Sequence, residues 1–254
     1  MSGSFTDDGK LDITDGVIVS IFGKKKSGKS VLALVLFDGY PSDRVVIDVN
    51  QDDGPFDPDI IDMTWDDDLR WPEWRRNWDG DRWHPMTVRF RPDPGRQETF
   101  LAECDDIIRF TMLHARKLAD QQRVGCALLI HEIGLVAPVH KTTPWMRRLL
   151  MSNRHYRTTL IAAGPRPKGI DTLVLAQSNV IYMFELLNPA DRQILAESIG
   201  WSPRELSAEF DGLLRHEYLR FDADEAAPAT RNQEDTRLLH FPPLPPSIVR
   251  SVLP

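Results

Sequence analysis

The sequence predicts an α/β fold with a central, mainly parallel sheet flanked by helices. Three observations lead there. Short apolar runs such as Val17-Ile18-Val19-Ser20-Ile21-Phe22 and Ala127-Leu128-Leu129-Ile130 lack the polar alternation of half-exposed strands, so they read as strands buried on both faces. Helical stretches separate these runs, and strand, helix, strand in succession makes a crossover unit whose strands run parallel. The first run also passes directly into a glycine-rich loop and an almost wholly apolar helix, Ser30 to Phe37.

The chain has 254 residues, which suits one large domain that buries its core without disulfide or metal staples. With 41% apolar and 27% charged residues, its composition is that of a globular protein. It holds no run of about 20 apolar residues, so no membrane span is expected. The start, Met1 to Asp12, is polar and lacks a signal-peptide core, which points to the cytoplasm. Cys104 and Cys126 fall in apolar-periodic stretches and read as reduced core thiols. A net charge of −7 argues against a general basic coat for nucleic acid, while a ring with a small basic lining stays open.

The elements follow in order. After the first helix, stopped by Gly39 and Pro41, Arg44 to Val49 is the second strand. Residues from about 52 to 96 form an insertion with little regular structure, carrying Trp65, Trp71, Trp74, Trp78 and Trp83 and closing in a strand at Met86 to Arg91. Its tryptophans suit a packed subdomain or protein interface, with stacking on bases as the alternative. Thr99 to Ala119 has helical periodicity, Gly125 to Ile130 is a central strand, and Pro144 to Tyr156 is a helix with Thr143 as N-cap. Strands at Thr158 to Ala163 and Asn179 to Leu187, a helix from Pro189 to Ile199, a shorter helix and a strand at Glu217 to Phe221 complete a domain over residues 1–221. Residues 222–254 read as a linker and a proline-rich tail beginning at Phe241.

Chemistry concentrates in Gly23-Lys24-Lys25-Lys26-Ser27-Gly28-Lys29-Ser30, which matches Gly-x4-Gly-Lys-Ser in full. Glycines let consecutive backbone N–H groups turn inward around an anion. Lys29 reaches the β- and γ-phosphates of ATP, and Ser30 offers its hydroxyl to Mg²⁺. The helix that starts there directs its positive end at the phosphates, with Val31 closing the binding set. Between a strand and a buried helix, the pattern marks a P-loop NTPase, for which a RecA-like domain is the expectation. A partner carboxylate is expected at the end of a neighbouring strand. Glu132, after Leu128-Leu129-Ile130-His131, fits as the group that orients or deprotonates the attacking water and as a metal-side acid. His131 occupies the position where an Asp commonly helps hold Mg²⁺; it reads as an ordinary strand-end residue, because Mg²⁺ prefers oxygen ligands.

Between about Val17 and Phe221, the order of motifs resembles the FtsK–HerA superfamily of ring-forming DNA-pumping ATPases. Outside the Trp-rich insertion, the matching pieces are the P-loop, Val45-Val46-Ile47-Asp48, Leu128-Leu129-Ile130-His131-Glu132, Asn153-Arg154-His155-Tyr156-Arg157-Thr158-Thr159-Leu160-Ile161, Ala162-Ala163-Gly164-Pro165-Arg166-Pro167, Asn179-Val180-Ile181-Tyr182-Met183-Phe184 and Asn188-Pro189-Ala190-Asp191-Arg192. The resemblance implies an ATP-driven motor on double-stranded DNA, most often a hexameric ring, with viral genome packaging as the role and a capsid or portal-type protein as a further partner. It also implies an arginine acting on the neighbouring subunit's site, for which Arg154 and Arg157 are the candidates; the alternative is helix-end cations complementing the dipole. Lys141, Arg166 and Lys168 stand where pore loops would meet DNA, or are simply solvated. The family usually carries Gln before Arg-Pro as a γ-phosphate sensor, and here Pro165 stands there. Either Gln177 or Asn179 takes that task or the sensing is altered, and the second is favoured. Rival readings are an assembly or secretion ATPase acting on protein, and a nucleotide-gated structural protein with little turnover.

Overall fold

The computed structural model describes residues 15–50, 60–63, 85–93, 95–96, 98–121, 124–224 and 238–252. Its strands are β1 (Ile18–Phe22), β2 (Arg44–Ile47), β3 (Ile61–Met63), β4 (Thr87–Phe90), β5 (Cys126–Ile130), β6 (Thr158–Gly164), β7 (Val180–Phe184), β8 (Tyr218–Asp222) and β9 (Leu238–Phe241). Its helices are α1 (Lys29–Asp38), α2 (Phe100–Asp120), α3 (Ile133–Val136), α4 (Pro144–Tyr156), α5 (Thr172–Ala176), α6 (Pro189–Ile199), α7 (Pro203–Gly212) and α8 (Pro246–Val252). Among the described residues the strands form one sheet in the order β3-β4-β2-β5-β6-β1-β7-β8-β9. Strands from β3 to β7 in that order run parallel, and β8 and β9 add antiparallel to one edge. The predicted α/β class with a mainly parallel sheet is therefore the observed one.

Both faces of this sheet are covered, which is why its central strands read as unbroken apolar runs. Ile18, Phe22, Leu128, Ile130, Ile181 and Met183 join one apolar layer with Ile107, Ile108 and Met112 of α2 and Met146, Leu149 and Leu150 of α4. Val19, Ile21, Leu129, Tyr182 and Phe184 join the other layer with Leu32, Leu36 and Phe37 of α1. Helix α1 buries Leu32, Ala33, Leu34, Leu36 and Phe37, and its larger apolar side chains gain roughly 1.5–3 kcal/mol each from leaving water. Packing of that size fixes the helix without a cap, so its N-terminus is free to serve a ligand.

Several local expectations needed revision. Thr143 has the extended backbone of an N-cap but makes no side-chain cap bond; Asp105 of α2 instead accepts from Trp145 N and Met146 N at 2.9 and 3.0 Å. Tertiary packing thus supplies an acceptor that the local sequence lacks. Within the insertion, Ile61–Met63 forms a parallel strand on β4. Trp65, Trp71, Trp74, Trp78 and Trp83 lie outside the described residues. Residues 238–241 pair with β8, and α8 lies against α1. Cys104 and Cys126 are free and buried, as expected, and burial pushes both thiols well above their ordinary range. Among the described residues, no helix is long and apolar enough to cross a membrane.

The turn between α4 and β6 presses on β5. A Cβ on Gly125 would lie 1.8 Å from the Arg157 carbonyl oxygen, which accepts from Cys126 N at 3.2 Å. Gly125→Ala is expected to destabilise the fold by about 3 kcal/mol, the upper part of the range for overpacking. Urea unfolding checks this: the midpoint falls at unchanged slope. A midpoint equal to the parent's would mean that this approach yields without strain.

Candidate nucleotide-binding site

Strand β1 ends at Phe22, and the loop begins where side chains no longer fit. A Cβ on Gly23 would meet Phe184 Cβ at 2.6 Å and Ser27 Oγ at 2.7 Å. Lys26 has φ 64° and Gly28 φ 106°. Left-handed positions of this kind turn N–H groups to one side, which suits an anion nest. Ser27 N donates to Lys24 O at 3.3 Å and closes the turn. The outside of the loop is tied to the end of β7: Lys24 N donates to Glu185 O at 3.0 Å, and Lys24 Nζ lies 2.6 Å from Glu185 Oε2.

Helix α1 starts immediately after the nest with Gly28 as N-cap. It has no side-chain cap and no acidic residue in its first turn. The first amides of a helix need acceptors, and Gly28, having no side chain, offers none. Ser27 Oγ is likewise buried with no hydrogen-bond partner among the described residues. Free donors, a positive helix end and Lys29 together fit a polyphosphate anion. Burial holds the Lys29 ammonium below the ordinary lysine range; Glu132 pulls it back up, and Lys25 depresses it further. A partly desolvated cation of this kind gains most when a phosphate oxygen arrives.

Glu132 follows β5, two strands away from β1, with β6 between them. The pairings Ile130 with Ala162 and Phe22 with Gly164 put the ends of all three strands on one edge. Glu132 therefore stands on the P-loop edge, the edge from which α1 begins at Lys29. Its backbone is left-handed, φ 59° and ψ 54°, at the start of α3. A non-glycine residue held there stores about 1–2 kcal/mol of strain, a frequent mark of functional positions. Asp48 and the partly buried His131 end the adjacent strands β2 and β5 on the same edge. Among the described residues, no three His, Cys, Asp or Glu side chains converge as a metal cage. Magnesium beside a nucleotide needs no such cage, since waters and phosphate oxygens complete its shell; the Ser30 hydroxyl and Glu132 carboxylate are oxygen donors of the right kind.

Strand direction separates the remaining residues. The Gly164–Lys168 turn leaves β6 on the phosphate edge and is clamped by buried Asp191, which accepts from Arg166 Nε at 2.8 Å and from Lys168 N at 3.3 Å. Lys141 and Lys168 are exposed in loops on this side. Gln177 and Asn179 precede β7 at the opposite edge, where Asn179 Oδ1 accepts from Ile18 N at 3.0 Å. The length of β1 keeps them from a γ-phosphate, so neither replaces the missing glutamine. Arg154 and Arg157 also lie at that opposite edge, in the last turn of α4 and its left-handed C-cap. Arg157 pairs with Asp15, whereas Arg154 is 71% exposed and 3.9 Å from Asp224. Neither reaches this chain's own P-loop.

One contributor has no signature in the sequence. A cleft of about 360 Å³ beside the loop is lined by Lys24, Lys25, Lys26, Ser27, Glu185, Arg215 and His216. His216 contacts a residue 189 positions away, a distance that no local pattern encodes.

No family model matches the sequence, and no curated protein matches it. Solved structures do match in fold. The genome packaging NTPase B204 from Sulfolobus turreted icosahedral virus 2, in complex with ATP-gammaS, superposes with a TM-score of 0.60 at 18% identity, covering 91% of this chain and 98% of that one. Its complex with AMPPCP gives 0.59 at 18% identity over the same shares. The DNA-packaging ATPase B204 from Sulfolobus turreted icosahedral virus gives 0.58 at 18%, covering 91% of this chain and all of that one, 100%. The chain has the fold of these P-loop NTPases.

Proposed function

We propose that this chain is an ATPase whose turnover drives double-stranded DNA, acting as a viral genome-packaging motor in the host cytoplasm or the virion. The observation that carries the reading is the pairing of an uncapped helix end and phosphate nest with Glu132, which follows β5 on the same edge of the sheet. Gly23 to Val31 hold the polyphosphate through backbone amides, Lys29 supplies positive charge, and Glu132 holds and deprotonates the attacking water. Ser30 and Glu132 would hold a magnesium ion, which would supply positive charge to the phosphate oxygens. DNA as substrate rests on the order of motifs and on likeness in fold to the packaging NTPases.

Arg154 is the residue we assign to a neighbouring subunit's site in a ring. It is exposed and on the edge away from its own loop, whereas Arg157 is folded onto Asp15. A trans arginine adds about 10³–10⁵ in rate in well-studied NTPases. A capsid or portal-type protein is the partner that would recruit such a motor.

The test is ATP hydrolysis by the full chain with and without linear double-stranded DNA. Stimulation of threefold or more is expected. Turnover indifferent to DNA but raised by a capsid or secretion component would replace the motor with a protein-acting ATPase. Tight ATP binding with no turnover would favour a nucleotide-gated structural protein, for which His131 and Pro165 leave room.

A further inference from the structure

Segment 214–217 joins α7 to β8 and reaches the P-loop from outside its motif. The turn is closed twice: Glu217 N donates to Leu214 O at 3.1 Å, and Leu214 N donates to Glu217 Oε2 at 2.8 Å. It carries His216 at φ 69°, a left-handed position that is uncommon outside glycine. His216 Nδ1 lies 3.1 Å from Ser27 O. A carbonyl oxygen only accepts, so Nδ1 carries the proton and donates.

The consequence for the loop follows from peptide geometry. In a planar trans peptide, the C=O of one residue and the N–H of the next point in opposite directions. No cis peptide occurs among the described residues. Fixing Ser27 O outward, toward His216, therefore turns Gly28 N–H inward, toward the nest. The imidazole also backs Gly28 itself: its Nδ1 would be 3.6 Å from a Cβ placed there.

The turn has a footing in the C-terminal strand. His240 Nε2 of β9 lies 2.9 Å from Glu217 Oε2, the oxygen that also closes the turn. Phe241 of β9 stacks on Tyr218 with ring centroids 5.5 Å apart and planes at 6°, and Tyr218 packs on Phe184 at 5.1 Å. Phe184 forms the floor on which Gly23 and Gly28 rest. Two routes thus run from β9 to the loop, one polar and one aromatic.

We propose that His216 is a positioning residue that aims an amide of the phosphate-binding loop, and that β9 sets its position, so the C-terminal segment tunes nucleotide affinity. The inference rests on the reading of that loop as a phosphate site. Full-length variants separate the roles when ATPγS affinity and thermal stability are both measured. His216→Gly suits the left-handed backbone but removes the donor; its affinity falls about tenfold, while its melting temperature stays equal or rises. His216→Asn keeps an N–H donor on a side chain that tolerates this backbone, and it restores affinity to within about threefold of the parent. His240→Ala, outside the loop, weakens binding about threefold. A His216→Gly protein that binds ATPγS as the parent does overturns the proposal, and so does an affinity loss that Asn fails to rescue. A parent that binds neither ATPγS nor inorganic tripolyphosphate overturns the phosphate-site reading and this inference with it.

Discussion

Lys29→Ala is expected to lose ATP binding by a factor of about 10²–10³ while remaining folded. Hydrogen bonds to charged groups contribute about 1.5–3 kcal/mol each, and truncating one member of a desolvated charge pair costs about 2–5 kcal/mol. Lys29 is partly buried at the mouth of the nest, so its attraction to phosphate is poorly screened. The fold itself has no need of the charge. With its folded value below 10.5, burial already disfavours the ammonium in the folded protein. Between the lowered value and 10.5 the unfolded chain binds more protons, so parental stability rises with pH across that window; below it, the penalty is present in full. Removing the ammonium removes the penalty, and the melting temperature of Lys29→Ala at neutral pH should equal or exceed the parent's. Titration calorimetry with ATP, beside a thermal melt, reads both quantities. Unchanged affinity would remove the phosphate from the site.

Glu132→Gln should leave ATP affinity within about threefold of the parent and lower turnover by about 10²–10⁴, the usual contribution of a general base. The amide is isosteric and accepts the same left-handed backbone, so geometry is kept while proton transfer is lost. Burial of Lys29 makes the change informative: loss of the Glu132 charge removes the influence that pulls Lys29 up, a small effect on binding beside the loss of the base. Binding and single-turnover hydrolysis measured on one preparation separate the two. A Gln variant that hydrolyses ATP at the parental rate would strip Glu132 of its catalytic assignment, and ATP would then have to be activated from another strand end such as Asp48.

Strands β1, β2 and β5, the loop, and helices α1 and α2 are all legible in the residue pattern, because their signals lie in neighbouring residues. Glycine spacing reports backbone freedom, and unbroken apolar runs report burial on both faces. The loop residues Gly23 to Ser30 and the carboxylate of Glu132 are legible for the same reason. The short edge strands β3 and β9 are not, since each is only partly buried, β3 is three residues long and β9 does not alternate. The proline-rich stretch after Phe241 hides the strand that ends there. The sensor question shows the limit from the other side: Gln177 and Asn179 have suitable chemistry, but strand direction puts them at the wrong edge.

What the sequence determined alone is a phosphate-binding loop between a buried strand and a buried helix, with an acid at the end of a second strand. Only the tertiary structure decided which distant groups meet: Glu185 against Lys24 and His216 against Ser27 at that loop, Asp191 beneath Arg166 in the turn after β6, and Asp105 at the start of α4. The reason is physical. Backbone conformation is dictated by adjacent side chains, whereas meetings between residues far apart depend on strand order and direction, which arise only when the whole sheet buries its two faces together.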